Sequence, residues 1–169
     1  DQRGDGIARG GADRREIGRG DVCDGAAAVG DPVQMRVVEG DELPISEMTP
    51  GPDHVRNYFA NSRNAPPFFF DEAAAKAQGM PGMLVPGPLK VGILYGAVEG
   101  WLGDAGYVRA IRAAHRRPDV QGRTIQIGGT VARVYEEDGK RRADLELFIV
   151  NQDGQPSVRG FGTVEFWVR

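Results

Sequence analysis

One long apolar helix candidate, followed only by alternating segments, constrains the fold of this chain more than any other feature. The segment 88–104 reads PLKVGILYGAVEGWLGD and carries apolar residues at helical spacing. Its apolar stripe contains Leu94, Val98, Trp101 and Leu102, and Ile93 and Ala97 widen it. Gly92, Gly96 and Gly100 recur every four residues, and each costs roughly 1 kcal/mol of helix stability relative to alanine. Tertiary contacts must therefore hold this helix, and we expect the glycines to let its backbone lie close against a sheet.

Four segments in which apolar and polar residues alternate follow the helix and predict β-strands. They cover residues 107–115, 123–138, 140–152 and 156–169. One face of the second segment carries Ile125, Ile127 and Val131, and one face of the third carries Leu145, Leu147 and Ile149. The sequences EEDGK and NQDGQ between the last three segments favour Asp-Gly hairpins, which predicts antiparallel strands in a meander. An antiparallel sheet of this size is expected to wrap around the one apolar helix. The pattern thus predicts an α+β chain with a single hotdog fold.

Shorter elements precede the long helix. The segment MRVVEGDELP, residues 35–44, is β-prone and ends at a proline. A short helix is predicted over 52–61, after Thr49 as a candidate N-cap. Asp71 is expected to cap the alanine-rich helix DEAAAKAQG, which Gly79 ends. We therefore place one folded domain at residues 35–169.

Residues 1–34 are rich in Gly, Arg and Asp and show neither the helical nor the strand period. Such a segment cannot bury enough apolar surface to offset its ordering entropy, so we expect a disordered or non-native N-terminal extension. It would be either a linker from an upstream domain or translated sequence ahead of a start at Met35.

Composition excludes several function classes. A formal net charge of −3 argues against a nucleic-acid or anionic-membrane surface as the main partner. No apolar run reaches membrane-spanning length, and the single cysteine, Cys23, cannot form an internal disulfide, so a cytoplasmic location is expected. One cysteine and two distant histidines, His54 and His115, do not make a metal-ligand cluster, so no metal is expected.

The stretch 62–87, SRNAPPFFFDEAAAKAQGMPGMLVPG, resembles the signature loop of the MaoC-like hydratase/dehydratase family of hotdog proteins. In that family a Ser-Gly-Asp-x-Asn-Pro-apolar-His-x-Asp run precedes an alanine-rich helix, a Gly-aromatic-Pro-Gly exit, and a His-Gly that leads into the central helix. The matching positions here are Ser62, Pro67, Asp71, the exit AAAKAQGMPG and the LVPG that ends at Gly87. A looser match runs from about Met35 to Arg169 and includes HRRPDVQGRTIQIGGTVARV.

The departures from the family lie where its chemistry belongs. The resemblance implies an aspartate and a histidine that converge on one water, and these positions hold Asn64 and Phe69. Hydration of an enoyl thioester needs a base for the attacking water, an acid for the α-carbon and donors for the developing oxyanion. Positioned acid–base catalysis contributes typically about 10²–10⁴-fold, so most activity should be lost. The backbone N–H of Gly87 is expected to remain as the thioester or oxyanion contact.

Several residues of this region have alternative interpretations. The run Phe68–Phe70, with Pro86, either lines an acyl pocket or plugs a disused one. His54 fits a solvated surface residue, and His115 fits a strand end or an interface. Four cations, Arg63, Lys90, Arg116 and Arg117, either meet the phosphates of a thioester carrier or are solvated.

The resemblance implies a binding subunit without its own catalytic pair. The expected ligand is an acyl-CoA or acyl-carrier-protein thioester, with no further cofactor, and the expected assembly is a homo- or hetero-oligomer with another hotdog chain that carries an intact Asp and His. Such a heteromer would be an enoyl-CoA hydratase or 3-hydroxyacyl dehydratase acting on a long or bulky acyl group. An alternative is a self-sufficient enoyl-CoA hydratase or dehydratase, or a thioesterase, with a relocated carboxylate at Asp71, Glu72 or Glu99. A third hypothesis is an oligomerisation module without a ligand.

Overall fold

A computed structural model describes residues 35–62 and 64–167 of the chain. Five antiparallel strands form one sheet, and one long helix lies against it. The elements in chain order are β1 (Glu42–Met48), α1 (Pro52–Phe59), a 3₁₀ turn (Pro67–Phe69), α2 (Glu72–Ala77), α3 (Gly87–Leu102), a second 3₁₀ turn (Gly103–Ala105), β2 (Gly106–His115), β3 (Ile125–Glu137), β4 (Lys140–Val150) and β5 (Pro156–Phe166). The predicted extension at residues 1–34 lies outside the described residues.

The core lies between α3 and one face of the sheet. Leu94, Val98 and Leu102 of α3 are each at most 3% exposed, as their helical spacing predicts. The residues that surround them are Ile125, Ile127, Val131, Leu145, Leu147, Ile149, Val158, Val164 and Phe166. Burying each such side chain is worth about 1.5–3 kcal/mol, which offsets the helix-propensity cost of the glycines in α3.

The two Asp-Gly hairpins are confirmed. Asp138 and Gly139 both have positive φ, 54° and 71°, as a two-residue turn between right-twisted strands requires. The turn places Glu137 opposite Lys140, and a one-residue register shift between Val131 and Arg133 then brings Val131 opposite Leu145 and Ile127 opposite Ile149. The apolar faces of β3 and β4 therefore meet on the same side of the sheet.

The strand order is β1-β3-β4-β5-β2, which corrects the predicted meander. Strands β3, β4 and β5 follow one another as expected, but β2 pairs antiparallel with β5 at the far edge of the sheet. None of the residues of β2 is fully buried, whereas most residues of β4 and β5 are at least half-buried. An edge strand has one strand neighbour and needs fewer large apolar side chains, which fits the composition of β2, GYVRAIRAAH.

A buried carboxylate joins this edge strand to its neighbours. Glu165 of β5 is 2% exposed and accepts hydrogen bonds from the Tyr107 hydroxyl at 2.9 Å and from the Arg109 and Arg142 guanidinium groups. The Lys140 ammonium lies 2.8 Å away. Hydrogen bonding, from Lys140 above all, outweighs desolvation and holds the pKa of the Glu165 carboxyl well below its usual range.

The first strand lies later in the chain than the sequence predicts. The expected strand at 35–44 was wrong, because β1 covers Glu42–Met48 and contains Pro44. Proline lacks a backbone N–H, yet an edge strand tolerates it where that side of the strand faces solvent. The pairing of β1 with β3 also shifts register between Leu43 and Ser46, around the proline.

The expected packing of the glycines against the sheet was also wrong. Gly92, Gly96 and Gly100 are exposed, and a Cβ added at any of them would meet nothing within 4 Å. They lie two residues before Leu94, Val98 and Leu102, which is about 200° around a helix of 3.6 residues per turn. The glycine face of α3 therefore points away from the buried stripe.

Glycine is instead required within the sheet, at Gly129. A Cβ there would lie 2.5 Å from the backbone oxygen of Glu146 and 2.7 Å from Cδ2 of Leu147. We expect Gly129→Ala to lower the free energy of unfolding by about 1–3 kcal/mol, because overpacking forces neighbouring strands apart. Urea unfolding measures this, and Gly96→Ala is the matched control, expected to gain up to about 1 kcal/mol in helix propensity. Equal effects of the two substitutions would contradict the close approach of β3 and β4.

Candidate functional site

The loop between α1 and α3 has the turn and the capped helix that the sequence predicts. At its start, the hydroxyl of Ser62 donates to the backbone oxygen of Asn64 at 3.1 Å and closes a tight turn. The carboxylate of Asp71 accepts a hydrogen bond from the N–H of Ala74 at 2.6 Å, which confirms the predicted helix cap. Helix α2 then ends before Gly79, whose φ is +74°.

The last residues of this loop, just before α3, form backbone hydrogen bonds with the connection between β2 and β3. The N–H of Val85 donates to the backbone oxygen of Asp119 at 2.8 Å, and the N–H of Gln121 donates to Met83 at 2.9 Å. Leu84 and Val120 form an antiparallel bridge between them. These backbone bonds fix where the chain enters α3, and hence where Gly87 lies.

A side chain that sequence reasoning missed holds the loop at two points. The Nε2 of Gln121 donates to the backbone oxygen of Phe69 at 2.8 Å and to that of Leu84 at 2.9 Å. Phe69 lies just before α2, and Leu84 lies just before α3. No sequence signal distinguishes this glutamine from a surface residue, because its role depends on contacts 37 and 52 positions away.

The two positions that the resemblance matches to the family's acid–base pair hold side chains without a proton-transfer group. Asn64 is exposed, and its N–H contacts the hydroxyl of Ser62 at 3.3 Å. The ring of Phe69 is half-buried and lies 5.2 Å from the ring of Phe59 and 4.3 Å from that of Phe68, centroid to centroid. It belongs to an aromatic cluster of Tyr58, Phe59, Phe68, Phe69 and Phe70. Pro86 is buried at the N-cap of α3. An acyl-lining role for Phe68, Phe69 and Pro86 stays a prediction.

The carboxylates considered as replacement bases have other partners. Asp71 caps α2, and Glu72 forms an exposed ion pair with Lys76 at 2.8 Å. Glu99 is exposed, and its carboxylate beside Tyr95 raises the pKa of that phenol. These contacts account for all three carboxylates without a bound substrate.

His54 is likewise accounted for by local structure. It is exposed, and its Nδ1 accepts a hydrogen bond from the N–H of Gly51 at 3.1 Å, at the start of α1. The sequence predicted a solvated histidine, and the structure adds this capping contact.

An apolar groove of about 700 Å³ runs along the exposed glycine face of α3. We call it the glycine groove. Its residues come from α3, β1 and one position of β3, and they are Pro44, Ser46, Glu47, Met48, Leu89, Gly92, Ile93, Gly96, Ala97, Gly100, Trp101 and Ile127. The glycines keep it open because they add no side chain. A groove of this volume and lining is of the size and polarity that small-molecule sites have.

A second, smaller cavity of about 370 Å³ opens at the first turn of α3, and we call it the helix-end cavity. It is lined by Gly87, Lys90, His115, Arg116, Arg117 and Pro118. The structure thus brings the predicted oxyanion position together with a histidine and three of the four cations noted in the sequence. The fourth, Arg63, lies outside the described residues.

Lys90 cannot serve a carrier phosphate, because it is 3% exposed and bound to Asp119. Its Nζ lies 2.8 Å from Oδ2 of Asp119, which is 1% exposed, and 3.2 Å from the backbone oxygen of Arg117. The sequence held a signal for this pair, because Lys90 continues the four-residue spacing of Leu94, Val98 and Leu102 and so faces the core. A buried lysine needs an acid, and Asp119 supplies it.

In the described part of the chain, neither a metal-ligand cluster nor a membrane-spanning helix is found. Within residues 35–62 and 64–167, no group of three or more His, Cys, Asp or Glu side chains could hold a metal ion. None of the described helices is long and apolar enough to cross a membrane.

Neither a protein-family model nor a curated protein matches the sequence. Solved structures do match the fold. An (R)-hydratase from A. caviae involved in PHA biosynthesis has a TM-score of 0.70 and 21% identity, over 78% of this chain and 98% of its own. The ChsH1-ChsH2 complex from Mycobacterium tuberculosis has a TM-score of 0.69 and 19% identity, over 78% and 100%. A MaoC-like dehydratase from Rhodospirillum rubrum has a TM-score of 0.67 and 16% identity, over 79% and 94%.

The chain has a hotdog fold. The sheet around α3 confirms the predicted α+β hotdog architecture. Identities of 16–21% carry the fold and not the activity, so the roles of Asn64, Phe69 and Gly87 stay predictions. The structural neighbours of this hotdog chain are MaoC-like dehydratases and (R)-hydratases, and one neighbour is a complex of two differently named chains.

Proposed function

We propose that this hotdog protein is a divergent MaoC-like chain that binds an acyl thioester and lacks the acid–base pair for its hydration. It would be the substrate-accommodating chain of a heteromeric enoyl-thioester hydratase or 3-hydroxyacyl dehydratase. A partner hotdog chain with an intact Asp and His would supply the proton transfers. The ligand would be a coenzyme A or acyl-carrier-protein thioester, with no further cofactor.

The observation that carries this proposal is the glycine groove. Its volume of about 700 Å³ and its lining by Met48, Ile93, Trp101 and Ile127 suit a long or bulky acyl chain. Leu89 brings the groove to the first turn of α3, two residues from Gly87. An acyl chain in the groove would therefore have its thioester near the backbone N–H groups of a helix N-terminus. Such N–H groups have no intrahelical acceptor and suit a carbonyl oxygen.

The hydrogen bonds that order this loop support a retained binding role rather than a complete loss of function. The cap at Asp71, the exit pairing at Val85 and the two bonds from Gln121 hold the loop in place. The groups at Asn64 and Phe69, by contrast, cannot take or give a proton at neutral pH. A chain with these features would keep the shape of a site whose chemistry lies elsewhere.

The partner is proposed from a structural neighbour. The ChsH1-ChsH2 complex contains two kinds of chain, and its match covers 78% of this chain. A division into a catalytic and a binding chain would explain a groove larger than a short substrate needs.

The first test is hydration of enoyl-CoAs by the purified chain, followed as loss of the conjugated thioester absorbance across short and long acyl chains. We expect a rate at least about 10²–10⁴-fold below that of an enzyme with an intact pair, because both groups are missing. Binding of the same acyl-CoAs, measured by calorimetry, should be retained. Addition of a hotdog chain with an intact Asp and His should then produce turnover.

Each alternative has its own result in this experiment. Turnover by the chain alone would support a relocated base, and retention of that turnover in Asp71→Asn would exclude Asp71 as the base. Failure to bind any acyl-CoA, alone or with a partner, would support a module that only assembles.

A further inference from the structure

The helix-end cavity contains a histidine that the proposed function does not use. His115 is the last residue of β2, and its side chain lies across Gly87 at the first turn of α3. A Cβ added to Gly87 would be 3.1 Å from Nε2 of His115 and 3.3 Å from both ring carbons next to that nitrogen. Glycine therefore leaves the space in which the imidazole lies.

The geometry puts a side-chain nitrogen beside the expected thioester contact. Gly87 and His115 line the same cavity, which is open to solvent. A ligand that reaches the N–H of Gly87 from this cavity comes within hydrogen-bonding reach of an imidazole. Neutral imidazole carries one N–H donor and one acceptor nitrogen, so it can donate to a carbonyl oxygen.

The buried ion pair next to this cavity fixes the imidazole's surroundings. Lys90 reaches both Asp119 and the backbone oxygen of Arg117, and so ties α3 to the segment that follows His115. The ion pair therefore holds the backbone that follows His115 against the first turn of α3.

The surroundings of His115 favour the neutral form of its imidazole, which still carries one N–H donor. Desolvation and then the positive charge of Lys90 lower the pKa of His115, and the negative charge of Asp119 opposes this only in part. The imidazole is therefore uncharged at neutral pH, since its ordinary pKa is already about 6.5.

We propose that His115 donates a hydrogen bond to the carbonyl oxygen of an acyl thioester bound at the first turn of α3, beside the N–H of Gly87. This assignment rests on the proposed function, because it requires a thioester ligand, and it names a side-chain contact outside the loop at 62–86. His115 acts here as a binding group, and no bond is made or broken.

The test compares two ligands that differ in the carbonyl alone: a long-chain acyl-CoA and the S-alkyl-CoA thioether of the same chain length. Calorimetry of the wild-type chain should show a preference for the thioester of about 100-fold, tenfold for each of the two hydrogen bonds that the N–H of Gly87 and His115 donate. His115→Phe, which keeps a ring but no donor, should reduce that preference to about tenfold by weakening thioester binding about tenfold while leaving thioether binding unchanged; the N–H of Gly87 accounts for the preference that remains. His115→Gln retains an N–H donor and should keep most of the preference.

Other outcomes overturn the assignment in distinguishable ways. Equal weakening of both ligands by His115→Phe, with an unchanged melting temperature, would give His115 a purely structural role. An unchanged thioester preference in that variant would remove His115 from the contact. Absence of binding of either ligand to the wild-type chain would overturn the proposed function, and the assignment with it.

Discussion

Replacement of Lys90 by methionine is expected to lower the free energy of unfolding by about 3–5 kcal/mol, because it leaves the carboxylate of Asp119 buried without a counter-charge. Both side chains are at most 3% exposed and their charged atoms are 2.8 Å apart. The cost of the variant therefore comes from the stranded charge and not from lost packing, since methionine is close to lysine in length. Urea unfolding followed by circular dichroism measures the change.

Two further variants separate this cause from others. The double variant Lys90→Met with Asp119→Leu should recover most of the stability, because a buried ion pair exchanged for apolar groups is often neutral or stabilising. Lys76→Met breaks an exposed pair with Glu72 and should cost under about 1 kcal/mol. A loss below about 1 kcal/mol in Lys90→Met would mean that water reaches Asp119.

Filling the glycine groove is expected to weaken acyl-CoA binding by about 50-fold without damage to the fold. Gly96 lies in the middle of the groove, and a side chain there meets no neighbouring atom within 4 Å at Cβ. A phenylalanine ring at this position would displace part of the acyl chain. Exclusion of three methylene groups costs roughly 2.4 kcal/mol at about 0.8 kcal/mol each, and this free energy corresponds to a loss of about 50-fold in affinity.

The matched control is Gly96→Ala, which adds helix propensity but leaves the groove open. Calorimetry with acyl-CoAs of increasing length should show that the affinity of Gly96→Phe stops rising with chain length, whereas that of Gly96→Ala continues to rise. If Gly96→Phe leaves every affinity unchanged and instead prevents association with a partner chain, the groove is an interface and not an acyl site.

Features set by neighbouring residues were predictable from the sequence. The cap at Asp71, the turn at Asp138–Gly139 and the buried stripe of α3 each depend on residues within a few positions of one another. The sheet around one helix followed from the order of these elements. The strand at 35–44 was wrong because Pro44 was taken as a stop, although an edge strand accepts it.

Features set by distant residues were not predictable in this way. The position of β2 beside β5 depends on pairing between segments about 50 residues apart, which alternation alone does not specify. The contact of His115 with Gly87 follows from that pairing. The exposure of the glycines, by contrast, could have been derived, because their positions lie about 200° from the buried stripe. Lys90 on that stripe was a second usable signal.

The two hydrogen bonds from Gln121 have a consequence for how such a chain can diverge. They end on the backbone oxygens of Phe69 and Leu84, and every amino acid offers that same acceptor. These two bonds are thus independent of the side chains at 69 and 84. A mutation at 69 leaves its backbone acceptor in place, so a loop held in this way could exchange the side chain there while the chain still folded.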